Sequence, residues 1–259
     1  MVKYLVFVFF YVFMLPVLAH ERSCDEVGGG RGYRPVELDG VVVCFVYVEI
    51  PKEKQEQLSR DPDGIAAYSV SKSEGAMLVY EFPYAGTKGR INDVFSLSVG
   101  DAGGKVLFVI HSVEAPNSWD VAGDIYDVAV MRVQVGRLVK DEKLSRFFSL
   151  GGDLLGAHGR SGYIYPYKER SAVVDVVRSP LFDFLYASSP VVGVVKEKTF
   201  LYRGGVEPSE QDPKGMYLIS GDEVMLEDST AGWCKILYLG GGKEIKRWMQ
   251  CKSATFSKR

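Results

Sequence analysis

The sequence predicts a mainly β protein: a β-rich α+β N-terminal domain built on an antiparallel sheet, followed by a small C-terminal β-barrel. Its 259 residues are 47% hydrophobic and 25% charged, a composition typical of a globular protein. Short apolar runs rich in β-branched and aromatic residues recur along the chain, separated by turn residues such as Gly, Pro, Asn and Asp. Helical spacing is confined to two stretches, 141–150 and 171–187.

Residues 1–19 have the pattern of a secretory signal peptide. A lysine precedes an apolar run over residues 4–15, and Pro16 separates that run from a small-residue cleavage site ending at Ala19. The run is shorter than the ~20 residues that a bilayer-spanning helix needs. We therefore expect an exported bacterial protein of the periplasm or the medium. It should begin near His20 and have no stable membrane insertion after cleavage.

The four cysteines lie outside this leader, at Cys24, Cys44, Cys234 and Cys251. An even number of cysteines in an exported chain favours disulfides. Of the three possible pairings, Cys24–Cys44 with Cys234–Cys251 is the simplest, because each closes a loop of about twenty residues. The spacing C-x2-C is absent, which argues against a zinc site built from the four thiolates.

The N-terminal domain, residues 20–190, is predicted from its apolar runs. Residues 26–40 contain GGGRGY and are expected to form an irregular arm. Strands are predicted at residues 41–50, 65–70, 76–82, 94–99, 106–113, 126–135 and 163–167. The imperfect alternation within 126–135 predicts one mostly buried face.

Helices are predicted in two places within this domain. Leu144, Phe147 and Phe148 have helical spacing within 141–150. Residues 171–187 are the longer candidate, with Ser171 as N-cap. Pro180 either breaks that helix or opens a second one as its first-turn proline. We place the domain boundary after residue 190.

The C-terminal domain, residues 191–259, contains short strands predicted at 198–202, 216–219, 223–226, 233–238 and 245–249. About five strands in sixty residues indicate a small barrel. The order LY, YLISGDEV, GWCKILY and RWMQCKSA over residues 199–254 resembles bacterial SH3-type domains, although Arg247 stands where that family has a glycine. The resemblance implies an SH3-like fold and a binding role, with Trp233 and Trp248 on the two strands of one hairpin. No family resemblance is identified before residue 190.

Aromatic residues are the strongest candidates for binding. In the SH3-like region these are Tyr202, Tyr217, Trp233 and Trp248, which form either an aromatic groove for a peptide or the core of the barrel. Further tyrosines beside turns, which suit either a binding surface or packing of the sheet, are Tyr84, Tyr163, Tyr165 and Tyr167.

Catalytic candidates are few. His111 lies within an apolar run, where a lone histidine is more often structural. Asp153, His158 and Ser161 share a glycine-rich loop, but no G-x-S-x-G elbow accompanies them, which favours a simple loop. No metal or nucleotide motif occurs, so no cofactor is expected. A formal net charge of −2 argues against a nucleic-acid partner.

These features together predict a non-enzymatic, exported binding protein that acts through protein–protein contacts. One specific version is an immunity protein that neutralises a toxin delivered into the periplasm. The alternative is a cell-wall module whose SH3-like domain binds peptidoglycan or its stem peptides beside an enzyme. A third hypothesis is an unrecognised hydrolase that uses His111 or His158.

Overall fold

The structure is a computed structural model that describes residues 24–51, 63–71, 74–100, 104–115, 122–155, 161–186, 189–204 and 215–259. The predicted signal peptide lies outside the described residues. The described chain is mainly β, as predicted, and all of its sheets are antiparallel.

The first sheet contains four strands in sequence order: β1 (Arg31–Leu38), β2 (Val41–Glu49), β3 (Asp63–Ser71) and β4 (Gly75–Glu81). The predicted irregular arm at 26–40 is therefore wrong over β1. Pro35 is tolerated there because β1 is an edge strand, where a missing N–H need not break a ladder.

The second sheet has the order β10-β9-β7-β6-β5, and β8 pairs with the far end of β7. Its strands are β5 (Gly89–Val99), β6 (Gly104–Val113), β7 (Ala122–Gln134), β8 (Arg137–Lys140), β9 (Gly151–Leu155) and β10 (Ser161–Tyr163). The strand predicted over 163–167 is thus wrong beyond Tyr163.

The described residues also form three short helices, of which the first lies between β8 and β9 and the other two follow β10. They are α1 (Glu142–Phe148), α2 (Arg170–Val177) and α3 (Pro180–Asp183). The helix predicted within 141–150 is confirmed, and the Asp141 side chain caps it by accepting the Leu144 N–H at 3.0 Å. Pro180 stands in the first turn of α3, so the alternative in which this proline opens a second helix is the correct one. The predicted Ser171 cap is wrong, because Glu169 occupies the N-cap position of α2.

The third sheet has the order β16-β15-β14-β11-β17. Its strands are β11 (Val191–Val195), β14 (Glu223–Thr230), β15 (Trp233–Gly240), β16 (Lys243–Gln250) and β17 (Ala254–Lys258). Two predicted strands form instead a separate hairpin, β12 (Thr199–Phe200) with β13 (Tyr217–Leu218). No pairing between the described residues closes the third sheet into a barrel. The predicted hairpin of the Trp233 and Trp248 strands is observed.

Four hairpins share one turn chemistry. Each has a two-residue turn with positive φ at both positions and glycine second, and the turns are Asp39-Gly40, Val135-Gly136, Ala231-Gly232 and Gly241-Gly242. Such turns have the twist that joins two antiparallel strands directly. Asp39-Gly40 therefore explains why β1 folds onto β2.

The second sheet lies in the middle of the core. Leu107 and Val109 of β6 pack with the first sheet, whereas Phe108 and Ile110 pack with the helices and the third sheet. The prediction of one buried face for residues 126–135 is wrong for this reason, since β7 is buried on both faces from Asp127 to Met131.

The predicted domain boundary at residue 190 falls just before β11. One buried cluster nevertheless contains residues from both sides of it, such as Phe147 and Phe182 before it and Leu201 and Trp233 after it. The division into two domains stays a prediction.

Candidate binding surfaces

One exposed aromatic surface is formed by the hairpin of β12 and β13, and we call it the aromatic hairpin: Lys198, Phe200, Tyr217 and Ile219. The relative exposure of Phe200 is 39%, of Tyr217 49% and of Ile219 54%. Phe200 and Tyr217 are paired across the hairpin, with ring centroids 6.4 Å apart. The Lys198 ammonium lies 4.1 Å from the Tyr217 centroid and 5.5 Å from that of Phe200. The hairpin therefore presents a cationic group over two adjacent ring faces.

The other three predicted aromatic residues lie together beside this hairpin. The backbones of Tyr202 and Trp248 exchange two N–H to carbonyl hydrogen bonds, each 2.9 Å long. The edge of the Tyr202 ring meets Trp233 at a centroid distance of 5.1 Å. Tyr202 and Trp248 are half-buried, and burial raises the pKa of Tyr202.

Trp233 is only 1% exposed and belongs to the core. It cannot present a face to a ligand, so the structure removes it from the predicted groove. Trp233 and Cys234 are both buried at the start of β15, where the Tyr163 and Tyr202 rings pack on Trp233 and Cys234 is bonded to Cys251. Of the four predicted candidates, Tyr217 is the exposed one.

A concave surface lies between the 163–181 segment and the end of the third sheet, and we call it the apolar cleft. Its volume is about 450 Å3, within the range of small-ligand pockets. One wall is lined by Tyr163, Ile164, Pro166, Tyr167, Ser179, Pro180 and Leu181; the other is lined by Gly232, Gln250, Cys251, Lys252, Ala254, Thr255 and Phe256.

Local contacts fix both walls of the apolar cleft. The Tyr163 hydroxyl donates to the Ala231 carbonyl, and the Tyr163 ring stacks on Trp233 at 5.4 Å. Gly232 has φ +78, and a Cβ there would lie 2.7 Å from Pro166 Cγ. Glycine is therefore required both by the turn and by the approach of the opposite wall.

The disulfides have the predicted pairing. Cys24–Cys44 spans a Cα–Cα distance of 5.5 Å and Cys234–Cys251 spans 5.0 Å. The second bond ties β15 to the short 3₁₀ turn Cys251–Ser253, which lines the apolar cleft. It therefore holds one wall of the cleft covalently.

The polar chemistry of the apolar cleft is simple. Burial raises the pKa values of Tyr163 and Tyr167, so both hydroxyls are neutral at physiological pH. Lys252 is the one charged side chain in the lining. It is exposed and makes no salt bridge with any described residue. The cleft suits an apolar group next to a negative charge.

The tyrosines beside turns are mostly core residues. Tyr163, Tyr165 and Tyr167 are 6%, 1% and 4% exposed, while the alternate residues Ile164 and Pro166 face outward. The Tyr165 hydroxyl donates to the Phe148 carbonyl at 2.9 Å. The packing interpretation is therefore correct for these three. Tyr84 is half-buried.

The structure describes two of the catalytic candidates, His111 and Asp153, and the contacts of both belong to the packing of the fold. His111 is 1% exposed, and neither ring nitrogen finds a hydrogen-bond partner among the described residues. Asp153 accepts the Tyr165 N–H at 3.0 Å and pairs with Lys168. His158 lies outside the described residues. His111 is thus closed off from any substrate, and Asp153 anchors the segment that follows β10.

Sequence reasoning missed Phe200 and Lys198 of the aromatic hairpin, and it missed Ser179, Gln250, Lys252 and Thr255 of the apolar cleft. Alternation within KTFLY could have revealed Phe200, since Thr199 and Leu201 are buried on either side of it. The cleft could not be found this way, because its walls are distant in sequence.

The described residues contain neither a metal-binding cluster nor a membrane-spanning helix. No group of three or more His, Cys, Asp or Glu is placed to hold a metal ion in this part of the chain. None of its helices is long and apolar enough to cross a bilayer. Comparisons with protein-family models, with curated proteins and with solved structures also find no match to the chain.

Proposed function

We propose that this chain is an exported, non-enzymatic binding protein that acts by contacting another protein through the aromatic hairpin. The observation that carries the proposal is the exposure of Phe200, Tyr217 and Ile219 side by side on a surface feature with no function in the core. Exposed aromatic side chains of this kind dominate the affinity of protein interfaces. The two disulfides support export, since such bonds persist in oxidising compartments.

The position of Lys198 favours a partner that carries a carboxylate at this surface. Its ammonium already covers the Tyr217 and Phe200 rings, so a partner carboxylate near Lys198 would complete an ion pair over an apolar contact. An immunity protein that blocks a toxin needs such a tight, specific contact and no catalytic group. Neutralising a periplasmic toxin is therefore the specific version that we propose.

The test compares the parent protein with two single variants, each of which removes one tyrosine ring of similar exposure. Tyr217→Ala removes an exposed ring from the aromatic hairpin, and Tyr186→Ala removes a ring that is 42% exposed elsewhere. Each immobilised protein is incubated with bacterial periplasmic extract, and bound proteins are identified by mass spectrometry and then titrated by calorimetry. A partner that binds the parent and Tyr186→Ala should bind Tyr217→Ala at least ~30-fold more weakly, equivalent to ~2 kcal/mol. Equal affinities for all three would exclude the aromatic hairpin as the interface.

The cell-wall alternative rests on a different observation, the apolar cleft. A concave apolar surface with Lys252 as its one charge fits a short peptide that carries a carboxylate, as peptidoglycan stem peptides do. Cosedimentation with purified sacculi tests it. Lys252→Glu should abolish binding, and Lys243→Glu, at the exposed first residue of β16, should not. No cosedimentation of the parent protein would reject this alternative and leave the aromatic hairpin unaffected.

A further inference from the structure

The apolar cleft is bordered by an edge strand of the third sheet. Among the described strands, β17 pairs only with β11 and is the last strand on its side of the sheet. Three consecutive residues of β17 line the cleft, Ala254, Thr255 and Phe256. Successive side chains of a strand point to opposite faces, so a cavity that touches three residues in a row borders the edge of the strand. The backbone of β17 therefore opens into the apolar cleft.

The hydrogen bonds between β11 and β17 show which backbone groups point towards the cleft. The Lys196 N–H donates to the Ser253 carbonyl at 2.8 Å. At the other end of the pair, the Arg259 N–H donates to the Pro190 carbonyl at 3.1 Å. Hydrogen-bonded and non-hydrogen-bonded pairs alternate along an antiparallel ladder, so Phe256 occupies a non-hydrogen-bonded position. Its N–H and its carbonyl therefore point away from β11, towards the open edge.

Three backbone groups are available at this edge. The Phe256 N–H and carbonyl form no hydrogen bond with any described residue. The Ala254 carbonyl points the same way, two residues earlier, whereas the Ala254 N–H donates to the Cys251 carbonyl. Lys258 forms a salt bridge with Asp183 of α3 at 2.8 Å, so α3 borders the far end of the strand. The open part of the edge therefore lies at residues 254–256, and an open edge is a template for a further strand.

The position of Lys252 gives the added strand a direction. Lys252 lies two residues before Ala254, is exposed and forms no salt bridge with any described residue. A strand that is antiparallel to β17 runs from Phe256 towards Ala254 and ends beside Lys252. The C-terminal carboxylate of such a strand would thus meet the one charged side chain of the cleft lining. A parallel strand would bring its N-terminal ammonium to the same place, where the two cations repel.

We propose that the apolar cleft binds the C-terminal segment of another protein as an added antiparallel strand on β17. One residue of the segment exchanges two hydrogen bonds with Phe256, and the residue two positions later donates to the Ala254 carbonyl. Directly opposed residues of an antiparallel pair have side chains on the same face. That face packs with Leu181, so both residues of the segment carry apolar side chains. The free carboxylate follows them and pairs with Lys252.

This site goes beyond the contact proposed for the aromatic hairpin, since no residue of that hairpin lines the cleft. Pairing with a strand edge gives affinity through main-chain hydrogen bonds and specificity through alternate side chains. Binding should therefore depend on particular backbone N–H groups of the ligand, whereas filling of the cleft by side chains alone should not.

The probes are three N-acetylated pentapeptides with a free carboxylate. They have threonine at positions 1, 3 and 5 and valine, leucine or phenylalanine at positions 2 and 4, which are expected opposite Phe256 and Ala254. Each is titrated to about 5 mM into the isotope-labelled parent protein and followed by amide NMR, a range that covers millimolar affinity. At least one probe should shift the Phe256 amide signal and slow its hydrogen exchange, because that N–H gains an acceptor.

Methylation of single peptide nitrogens tests the strand pairing in the parent protein itself. N-methylation at position 2 removes the N–H that donates to Phe256 and should weaken binding about tenfold. N-methylation at position 3 removes an N–H that points away from β17, so the affinity should stay within about threefold. Equal losses at the two positions would overturn the proposed pairing.

Protein variants with matched controls locate the contacts. Phe256→Pro and Phe256→Ala both remove the ring, but only proline removes the N–H, so Phe256→Pro should bind about tenfold more weakly than Phe256→Ala. Proline is tolerated at an edge position whose N–H is outside the ladder. Lys252→Gln should also bind about tenfold more weakly than the parent, and Lys243→Gln should bind normally. Amidation of the peptide carboxylate should weaken binding to the parent and have no further effect on Lys252→Gln.

Circular dichroism establishes that each variant is folded, and the N-methylated peptides decide the question if Phe256→Pro is not. Absence of binding by all three probes would overturn the proposal. An equal effect of amidation on the parent and on Lys252→Gln would overturn the assigned direction. Cosedimentation with sacculi in the absence of any pentapeptide binding would assign the cleft to the cell-wall alternative. Tyr217→Ala should bind the pentapeptides like the parent, so the outcome is independent of the aromatic hairpin.

Discussion

Acid should destabilise this protein through His111, which lies on the face of β6 that packs against the first sheet. Its ring stacks on Phe82 at a centroid distance of 5.0 Å. A Cβ at Gly89 would lie only 2.7 Å from the His111 Nε2 atom, so the site has little spare volume there. Burial lowers the pKa of His111 from 6.5 to about 4. Protonation would put a cation where no described residue accepts a hydrogen bond from it.

The size of the effect follows from the difference in pKa between the folded and unfolded chains. Because the folded pKa is the lower one, the unfolded chain binds the proton first, and stability is lost as pH falls from 6.5 towards 4. At ~1.4 kcal/mol for each pH unit, the full loss approaches ~3 kcal/mol. Between about pH 7.5 and about pH 5 the expected loss from this residue is ~2 kcal/mol.

We test this with the variant His111→Leu, because leucine has a volume similar to that of histidine and no titrating group. At neutral pH the variant should be at least as stable as the parent, because both buried nitrogens lack partners and their removal relieves a desolvation cost. Urea unfolding at about pH 7.5 and about pH 5 gives both free energies by linear extrapolation. The loss on acidification should be ~2 kcal/mol smaller in the variant than in the parent.

Asp127, opposite His111 on β7, supplies a comparison of opposite sign. Burial raises the pKa of this carboxyl, and the Tyr80 hydroxyl donates to it at 3.0 Å. A raised folded pKa means that acidification stabilises the fold through Asp127. Asp127→Asn should therefore lose more stability than the parent between the two pH values. An unchanged pH dependence in His111→Leu would refute the reasoning for His111.

Three further outcomes are expected. Replacing Cys234 and Cys251 together with alanine should lower the free energy of unfolding by ~2–5 kcal/mol, measured by urea titration, because the closed loop of 17 residues is released and two buried sulfurs are lost. Gly193→Ala should destabilise the third sheet, since a Cβ there would lie 2.7 Å from the Phe256 ring, and thermal unfolding followed by circular dichroism should show a lower Tm. Intact mass spectrometry of exported protein should give a chain that begins near His20, and a full-length mass would contradict the signal peptide.

Much of the fold was predictable because its signals are local. The strands at 41–50, 65–70 and 106–113 follow β-branched runs between turn residues, and the structure has strands there. The helix within 141–150 needed only its apolar spacing, and its cap Asp141 directly precedes it. The error at β1 was avoidable, because Asp39-Gly40 is a strong signal for a two-residue hairpin.

The candidate site was less predictable because exposure is a property of the whole structure. Tyr217 and Trp233 look equally suitable in sequence, yet one is 49% exposed and the other 1%. The difference arises because Trp233 packs under Tyr163, which comes seventy residues earlier in the chain. No local pattern contains that contact.

The sequence by itself determined the mainly β class, the positions of most strands and the disulfide pairing, because turn chemistry, alternation and cysteine spacing all act over a few residues or one short loop. Tertiary structure alone decided which aromatic residues reach the surface, where the apolar cleft lies and which edge of the third sheet opens into it. Those features depend on how the second sheet is covered on both faces. Burial is decided by what packs on an element from elsewhere in the chain, and side chains with the same local pattern therefore end in different environments.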